Sequence, residues 1–209
     1  MNLSLKHIRI SRGNKLIFGD LNFQSSSKLI HLTGQNGVGK SSLLLALSGL
    51  IPFQSGTVSI NNNVVSCKDL VASVGLSSIE VTTPPAVLAK HVTRYLAKRY
   101  LNSQYQVDDL IAGFNFASQL NNTVGELSEG SLRKLSLITA LMKAQALLLL
   151  DEPVNGLDAK SNHFLINDIL TNMNVCTLLT GHAESAYTQL PDLEIISLDS
   201  PAIEKNNHL

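Results

Sequence analysis

A glycine-rich segment near the start of the chain restricts the possible folds more than any other feature. The apolar stretch 29–33 predicts a short strand, and the apolar stretch 40–48, which stops at Gly49 and Pro52, predicts a helix. Between them lies Gly34-Gln35-Asn36-Gly37-Val38-Gly39-Lys40-Ser41. This spacing of glycines, lysine and serine between a strand and a helix is typical of a phosphate-binding loop. We therefore expect an α/β core built around the loop.

The residues of this loop match the chemistry that polyphosphate demands. Glycines let the backbone wrap closely around the anion, so that several N–H groups converge on its oxygens, and the following helix adds its positive end. Lys40 is expected to reach the β- and γ-phosphates of ATP, and the Ser41 hydroxyl is expected to bind Mg²⁺. The residues assigned to nucleotide binding here are Gly34, Asn36, Gly37, Gly39, Lys40, Ser41 and Ser42.

Two sheets are predicted from the remaining pattern. Alternation over 3–10 predicts a half-exposed strand, and the apolar segments on either side of Asn61-Asn62-Asn63 predict an antiparallel hairpin. The later chain alternates apolar strands with amphipathic helices, which indicates a mostly parallel sheet with ligands at the carboxyl ends of its strands. These later strands are predicted over 146–150, 175–180 and 193–198, and the helices over 131–143 and 164–173.

A second motif follows one of these strands. Four leucines lead directly into Asp151, Glu152 and Pro153. Asp151 is placed to hold Mg²⁺, and Glu152 can act as the general base for an attacking water. Adjacent carboxylates are costly unless a cation lies nearby, and the metal would supply one. An ordinary turn has the same composition, but together with the phosphate-binding loop the pair indicates a nucleotide-hydrolysing or phosphoryl-transferring enzyme.

A third motif, Leu127-Ser128-Glu129-Gly130-Ser131, precedes the helix predicted over 131–143. It resembles the Leu-Ser-Gly-Gly-Gln signature of the ATP-binding cassette family, in the same order relative to the other motifs. In that family the signature of one protomer closes over the γ-phosphate held by the other. The resemblance thus implies a homodimer in which Ser128 and Gly130 bind nucleotide across the interface. Taken alone, the pentapeptide also fits a helix N-cap at Ser128 or Ser131.

Two shorter segments agree with the resemblance. Asn155-Gly156-Leu157-Asp158 looks like the family's D-loop, which crosses the dimer interface, so Asp158 is assigned to the nucleotide site. Thr180-Gly181-His182 looks like the family's switch histidine, and His182 is assigned a catalytic role near the γ-phosphate. A lone histidine is more often a surface or satisfied core residue, but the end of a parallel strand favours the catalytic interpretation.

Several positions depart from the family pattern. Where the family has an aromatic residue that stacks on adenine, this chain has Arg12, which either stacks through its guanidinium or is a solvated charge. No glutamine follows the segment at Val74-Gly75, and Glu80 is a weak substitute. The signature itself carries Glu129 and Ser131 in place of glycine and glutamine. These changes bear on turnover and coupling more than on nucleotide binding.

The resemblance implies a complete fold: an α/β P-loop NTPase core of the RecA-like type with a small antiparallel β subdomain and an inserted helical subdomain at about 84–119, in one domain spanning 1–209. It also implies an ATPase that uses ATP and Mg²⁺ to power transport by a separate integral membrane subunit. The basic residues Lys90, His91, Arg94, Lys98 and Arg99 fit either a solvated helix face or a docking surface for that subunit.

Composition narrows the partners and the location. The formal net charge is zero, with 16 basic and 16 acidic residues, which argues against nucleic acid as a partner. The longest apolar run, 146–150, is too short to span a bilayer, and residues 1–6 lack the features of a signal peptide. We therefore expect a cytoplasmic chain, peripheral on the inner membrane through its membrane subunit.

Two alternative functions remain open at this point. One is a soluble cassette in assembly, repair or translation, which often carries two cassettes or a long coiled-coil insertion. The other is a regulatory nucleotide-binding subunit that hardly hydrolyses ATP, suggested by the absent glutamine. The short length also resembles the small cassettes of the haem-exporter type in cytochrome c maturation.

Overall fold

A computed structural model describes residues 2–81, 83–181 and 186–199. In these residues the strands are β1 (Leu3–Arg12), β2 (Lys15–Ser25), β3 (Leu29–Thr33), β4 (Ser55–Ile60), β5 (Asn63–Val64), β6 (Val74–Ser77), β7 (Leu147–Asp151), β8 (Cys176–Thr180) and β9 (Leu193–Ser197). The α-helices are α1 (Lys40–Leu47), α2 (Cys67–Ser73), α3 (Ala89–Arg99), α4 (Val107–Gly113), α5 (Glu129–Lys143) and α6 (Ala159–His163).

The strands form the two sheets that the sequence predicts. The parallel sheet has five strands in the order β6-β7-β8-β3-β9, and the antiparallel sheet has four in the order β2-β1-β4-β5. Strand β7 lies inside the parallel sheet, between β6 and β8. Because parallel strands end at the same edge, the segments after β3, β6, β7 and β8 are brought together there.

Two hydrophobic cores cover the two faces of the parallel sheet. Leu148 and Leu150 of β7 belong to the core that contains α5 and the helical insertion. Leu147 and Leu149 belong to the core that contains α1 and the antiparallel sheet. All four leucines have no exposed surface. A strand that is apolar at every position is expected where both faces are covered by helices or by another sheet.

The antiparallel sheet supports the glycine-rich loop. The hairpin of β4 and β5 turns at Asn61 and Asn62, which have φ values of 52° and 66°, as the asparagine-rich turn predicts. Phe18 of β2 is fully buried, and a Cβ atom at Gly39 would lie 2.8 Å from its ring. The loop therefore rests against β2, a strand that the sequence analysis did not predict.

The helices α3 and α4 form the insertion between β6 and α5. Its two ends are tied together by backbone hydrogen bonds from Ala89 to the Asn122 carbonyl and from Val124 to the Val87 carbonyl, at 3.0 and 2.8 Å. Both helices fall inside the range 84–119, and that boundary remains a prediction, as does the single domain over 1–209.

Other helices differ from the predictions in their bounds. Helix α5 begins at Glu129, two residues before the predicted start, because Ser128 caps it. The segment predicted as a helix over 164–173 continues α6 as a π-helix over Phe164–Ile169 and a 3₁₀ turn over Leu170–Asn172. Helix α2 was not predicted. Throughout the described part of the chain, every helix is too short or too polar to cross a membrane.

Packing of the parallel sheet on α5 predicts a severe effect for Gly75→Ala. A Cβ atom at Gly75 of β6 would lie 2.0 Å from the Ala140 carbonyl oxygen, so β6 and α5 must separate. We expect a loss of about 1–3 kcal/mol in the free energy of unfolding, measured by chemical denaturation. Gly125→Ala is the control, since the nearest atom there is a Pro85 side-chain carbon at 3.1 Å. Equal stability of Gly75→Ala and parent would contradict the close packing.

Candidate functional site

The glycine-rich loop follows β3 and leads into α1. Gly34, Gly37 and Gly39 have φ values of 145°, 81° and 114°, in the range that favours glycine. The Lys40 ammonium donates to the carbonyl oxygens of Gly34 and Gln35, at 2.6 and 3.2 Å, so it folds back over the loop. Ser41 and Ser42 lie in the first turn of α1, and Asn36 is exposed. The loop thus presents backbone, ammonium and hydroxyl groups within one turn.

A carboxylate holds the start of this loop. The Asp199 carboxylate, just after β9, accepts a hydrogen bond of 2.7 Å from the Gln35 backbone N–H. A Cβ atom at Gly34 would lie 3.1 Å from the same oxygen. The conformation of the loop is therefore fixed from β9 as well as from β2.

The Asp151 carboxylate, at the end of β7, is held by one hydroxyl from each side. Thr180 at the end of β8 donates to Oδ1 at 2.6 Å, and Ser78 just after β6 donates to Oδ2 at 3.1 Å. Arg133 of α5 donates to the backbone carbonyl of Asp151 at 2.9 Å. Asp151 is 7% exposed. A carboxylate that accepts two hydroxyl protons keeps lone pairs for a further partner and is fixed in direction.

Glu152 has an unusual backbone conformation. Its φ is 48°, a region that side chains larger than glycine adopt rarely. Its N–H donates to the Thr180 hydroxyl at 3.1 Å, and its Oε2 accepts from the Asn155 side chain at 2.7 Å. The backbone and the carboxylate of Glu152 are thus each held by a neighbouring side chain.

The donor set suits Mg²⁺ held largely by phosphate and water. The residues with described positions include no group of three or more His, Cys, Asp or Glu side chains that could hold a metal on its own. Mg²⁺ in nucleotide sites typically takes one or two protein oxygens and completes its shell with substrate phosphates and waters. One buried carboxylate, Asp151, and the Ser41 hydroxyl match that requirement. Such an ion would neutralise negative charge on the phosphates.

The signature segment begins α5. Ser128 is the N-cap, with its hydroxyl accepting from the Ser131 N–H at 3.3 Å. A Cβ atom at Gly130 would lie 2.5 Å from the Gly156 carbonyl oxygen. The signature segment and the segment 155–158 are therefore in direct contact within one chain.

Asp158 has an identified role inside its own chain. Its carboxylate accepts from the Ser161 N–H at 2.9 Å, which caps α6, and pairs with Lys134 of α5 at 2.5 Å. The hydrogen bond from Lys134, followed by that from the Ser161 backbone, lowers the pKa of Asp158 to about 2. Asp158 thus links the start of α6 to α5, and its contact with nucleotide remains a proposal.

Comparisons with known proteins decide the family. The model of the ABC transporter family matches residues 19–155, which is more than half of the chain. The chain belongs to the ABC transporter family.

Similar proteins include ones named as ATP-binding proteins of export and of import. The chain is 29% identical over 202 residues to the cytochrome c biogenesis ATP-binding export protein CcmA of Wolbachia pipientis wMel, covering 94% of this chain and 96% of that protein. It is 32% identical over 163 residues to the CcmA of Reclinomonas americana, covering 75% and 73%. It is 24% identical over 212 residues to the zinc import ATP-binding protein ZnuC of Buchnera aphidicola subsp. Baizongia pistaciae (strain Bp), covering 99% and 82%.

Solved structures agree on the fold. A structure of an ATP-binding subunit of an ABC transporter superposes with a TM-score of 0.73 at 21% identity, covering 87% of this chain and 80% of that one. A dimeric bacterial ABC transporter cassette superposes with a TM-score of 0.70 at 18% identity, covering 86% and 88%. The predicted fold, and the prediction of an ATP-hydrolysing ABC subunit that powers transport, are confirmed.

Two departures of this ABC subunit from the family pattern contact each other. Arg12 and Glu80 form a two-pronged ion pair, with nitrogen–oxygen distances of 3.1 and 2.5 Å. Hydrogen bonding to Glu80 raises the pKa of Arg12. Arg12 is therefore not an isolated solvated charge, and its guanidinium plane is fixed at the edge of the antiparallel sheet. Glu80 is committed to Arg12 rather than pointing freely, which weighs against its acting as a substitute for the glutamine.

The predicted catalytic residue His182 lies outside the described part of the chain. Several other side chains at this site were not predicted from the sequence. Thr180, Ser78, Arg133 and Asn155 contact Asp151 or Glu152, and none was assigned a role. The signal for Thr180 was present, since a polar residue follows two leucines at the end of a strand, at the sheet edge where Asp151 was expected.

The geometry of the ABC site predicts that Glu152→Gln slows hydrolysis while ATP binding persists. The variant loses the carboxylate that can accept the proton of water, a change that typically costs ~10² to 10⁴-fold in rate. Phosphate release and equilibrium ATP binding are the measurements. Asp168→Asn, at an exposed position on the π-helix, is the control. Parental turnover in Glu152→Gln would remove Glu152 from the assigned role.

Proposed function

We propose that this chain is the subunit of an ABC transporter that binds MgATP between two identical copies, hydrolyses it, and transmits closure and opening to a separate membrane subunit. The observation that carries the proposal is the shared sheet edge. There the glycine-rich loop follows β3, Asp151 and Thr180 end the neighbouring strands β7 and β8, and Glu152 comes directly after β7. The groups proposed to bind phosphate and to accept a proton therefore lie at the same end of the sheet.

Each group has a proposed task at that edge. Gly34, Gly37 and Gly39 expose the loop backbone to phosphate, and Lys40 leaves the Gly34 carbonyl to bind the terminal phosphates. Ser41 and Asp151 would hold Mg²⁺, which would neutralise part of the charge on the phosphates. Glu152 accepts a hydrogen bond from the attacking water and then its proton at a carboxylate oxygen. Asn36 and Ser42 complete the loop contacts, and His182 is proposed to donate to the γ-phosphate.

The second copy completes the nucleotide site. Ser128 is exposed at the N-terminus of α5, where backbone N–H groups and the helix dipole favour an anion. In a two-fold dimer the same contact is made twice. Gly130 is in the first turn of α5, and Asp158 is paired with Lys134 of the same helix. Both are proposed to shape the nucleotide contact at the start of α5. Since a side chain at Gly130 would strike the Gly156 carbonyl of its own chain, Ser128 is the cleaner position for a test.

The proposed dimer predicts a crosslink that depends on ATP. Ser128→Cys on one copy and Gln35→Cys on the other should be joined by a short thiol reagent only when ATP is bound, in the Glu152→Gln background that slows hydrolysis. Gln35 is an exposed residue of the loop. Cys67 is also exposed and is replaced by Ser in both chains, whereas Cys176 is buried. The measurement is the dimer band on denaturing gels.

A matched pair tests whether the crosslink reports the sandwich. Leu101→Cys replaces Ser128→Cys as the control, since Leu101 is 79% exposed and lies after α3. Equal crosslinking with and without ATP, or with the Leu101 control, would contradict the sandwich. Full ATPase activity in a chain held as a monomer would do the same.

An apolar groove supports docking of a membrane subunit. A cavity of about 170 Å³ lies between the segment after β6 and helix α5, lined by Leu76, Ile79, Val81, Leu132 and Leu135 among others. Ile79 and Val81 are 65% and 39% exposed. Exposed apolar side chains grouped around a groove typically mark a protein interface. Ser78 also lines the groove and donates to Asp151, so the groove is connected directly to the metal side of the site.

Helix α3, which packs against α5, carries exposed basic residues. His91, Arg94 and Lys98 are exposed on α3, together with Tyr95, which is 59% exposed. We therefore favour a docking role for this basic face, with a cytoplasmic helix of the membrane subunit as the occupant. This contact would place the chain peripherally on the cytoplasmic face of the inner membrane.

Docking at the groove predicts that Ile79→Glu detaches the chain from its membrane subunit. A buried, unpaired carboxylate in the docked state would be costly, whereas in the free chain Ile79 is mostly exposed. Retention on membranes and co-purification with a polytopic protein are the measurements, with ATP binding as the check on folding. Val64→Glu, at a 71% exposed position of β5, is the control. Normal retention of Ile79→Glu would move the docking surface elsewhere.

The named relatives suggest the branch of the family. The CcmA of Wolbachia pipientis wMel is matched over 96% of its length, so we propose a cassette of the cytochrome c biogenesis export type. Identification of the co-purified polytopic protein tests this. A regulatory subunit with little hydrolysis is the second candidate, favoured by the absent glutamine and by the hydrogen bond from Asn155 to Glu152. Phosphate release by the isolated chain separates the two.

A further inference from the structure

We infer that Thr180 is a positioning residue for hydrolysis, because its single hydroxyl sets the direction of the Asp151 carboxylate and the backbone of Glu152 at once. The inference rests on the proposed function. Thr180 lies outside both the glycine-rich loop and the signature segment, and it acts on the site through its bonds to Asp151 and Glu152.

The contacts of Thr180 are set by strand register. Thr180 and Asp151 are paired residues at the ends of the parallel strands β8 and β7. The Thr180 hydroxyl donates its proton to Asp151 Oδ1 at 2.6 Å and accepts the Glu152 N–H at 3.1 Å. A hydroxyl has one proton to give, so the direction of the first bond fixes the acceptor role in the second. Thr180 has no exposed surface, so water does not compete for either bond.

Asp151 depends on this bond because it lies at a buried edge. Ser78 holds Oδ2 at 3.1 Å and Thr180 holds Oδ1 at 2.6 Å, from the two strands that flank β7. Without the Thr180 donor, the Asp151 carboxylate can rotate about its Cβ–Cγ bond, because the hydrogen bond from Ser78 restrains only one of its oxygens. Hydrogen bonds that orient a metal-binding carboxylate typically change metal affinity or activity by 10- to 100-fold.

Glu152 depends on the same hydroxyl for a different reason. Its φ of 48° lies in the left-handed region, which side chains larger than glycine seldom adopt without local support. The bond from its N–H to Thr180 supplies that support at the residue that carries the proposed base. Loss of the hydroxyl therefore affects the position of the base as well as that of the metal-side carboxylate.

The test compares Thr180→Val, Thr180→Ala and Thr180→Ser with the parent chain. Valine keeps the shape and removes the hydroxyl, and serine keeps the hydroxyl and removes the methyl group. One readout is Mn²⁺ affinity in the presence of a non-hydrolysable ATP analogue, followed by electron paramagnetic resonance. The second is kcat and KM for ATP at saturating Mg²⁺.

We expect Thr180→Val and Thr180→Ala to weaken Mn²⁺ binding and to lower kcat, each by ~10- to 100-fold, with a smaller change in KM. Thr180→Ser should restore most of both. Ser78→Ala should weaken Mn²⁺ binding in the same way but lower kcat less, because the described hydrogen bonds of the Ser78 hydroxyl are to Asp151 and Glu80 and not to Glu152. Thr177→Val is the matched control: Thr177 is fully buried on the same strand and its hydroxyl donates only to the Val175 carbonyl, at 3.4 Å.

Three outcomes would overturn the inference. Parental Mn²⁺ affinity and kcat in Thr180→Val would remove the hydroxyl from the site. Equal losses in Thr180→Ser and Thr180→Ala would assign the effect to packing of the methyl group. Losses of the same size in Thr177→Val would show general damage to β8. If the parent chain itself neither binds MgATP nor releases phosphate, the proposed function fails, and that result is distinct from all three.

Discussion

Burial of β7 on both faces is the constraint on which the rest of the structure depends. Its leucines alternate between two cores, so the strand can neither shift in register by one residue nor tilt without disrupting both. Asp151 is the last residue of that strand and Glu152 the next. Their position is consequently set by apolar packing, and polar contacts are needed only for direction. Thr180, Ser78 and Arg133 supply that direction from the two flanking strands and from α5.

Glycine at a few contacts allows the layers to come close enough for this arrangement. Gly75 lets β6 lie directly on the backbone of α5, and Gly130 lets the start of α5 lie against the Gly156 carbonyl. Helix α5 thereby contacts both the strand that leads to Ser78 and the segment that follows Glu152. A displacement of α5 at the groove would therefore move both Ser78 and the segment that follows Glu152, since closely packed interfaces transmit displacement.

Most of the fold and the main motifs could be predicted from the sequence, because strong apolar runs and glycine spacing are local signals. Strand β2 could not, since Gly19, Asp20 and Asn22 weaken a strand pattern and the register with β1 shifts at several points. Helix α2 has seven residues, and its capping box of Ser66 and Asp69 was its clearest local signal. The contacts of Thr180 with Asp151 and of Arg12 with Glu80 join residues far apart in the chain, so only the folded sheet reveals them. Gly130 was assigned to nucleotide across the dimer interface, and its contact with Gly156 of the same chain is a tertiary feature that the local sequence does not show.

Three of the groups proposed to act on ATP already have hydrogen-bond partners within the single chain. Lys40 donates to the Gly34 carbonyl, Asn155 donates to Glu152, and the Ser128 hydroxyl caps α5. The Lys40 ammonium already donates to a neutral carbonyl as a charged donor, and a polyphosphate offers it an acceptor that is charged as well, so Coulomb attraction is added to the hydrogen bond. Exchange at Lys40 therefore favours nucleotide within one chain. In the proposed dimer, Ser128 gains a phosphate partner only when a second copy brings nucleotide to it, so the proposal implies that nucleotide binding precedes closure and that closure requires both copies. This proposed order follows because one chain can exchange the Lys40 hydrogen bonds for bonds to nucleotide by itself, whereas Ser128 needs the second copy.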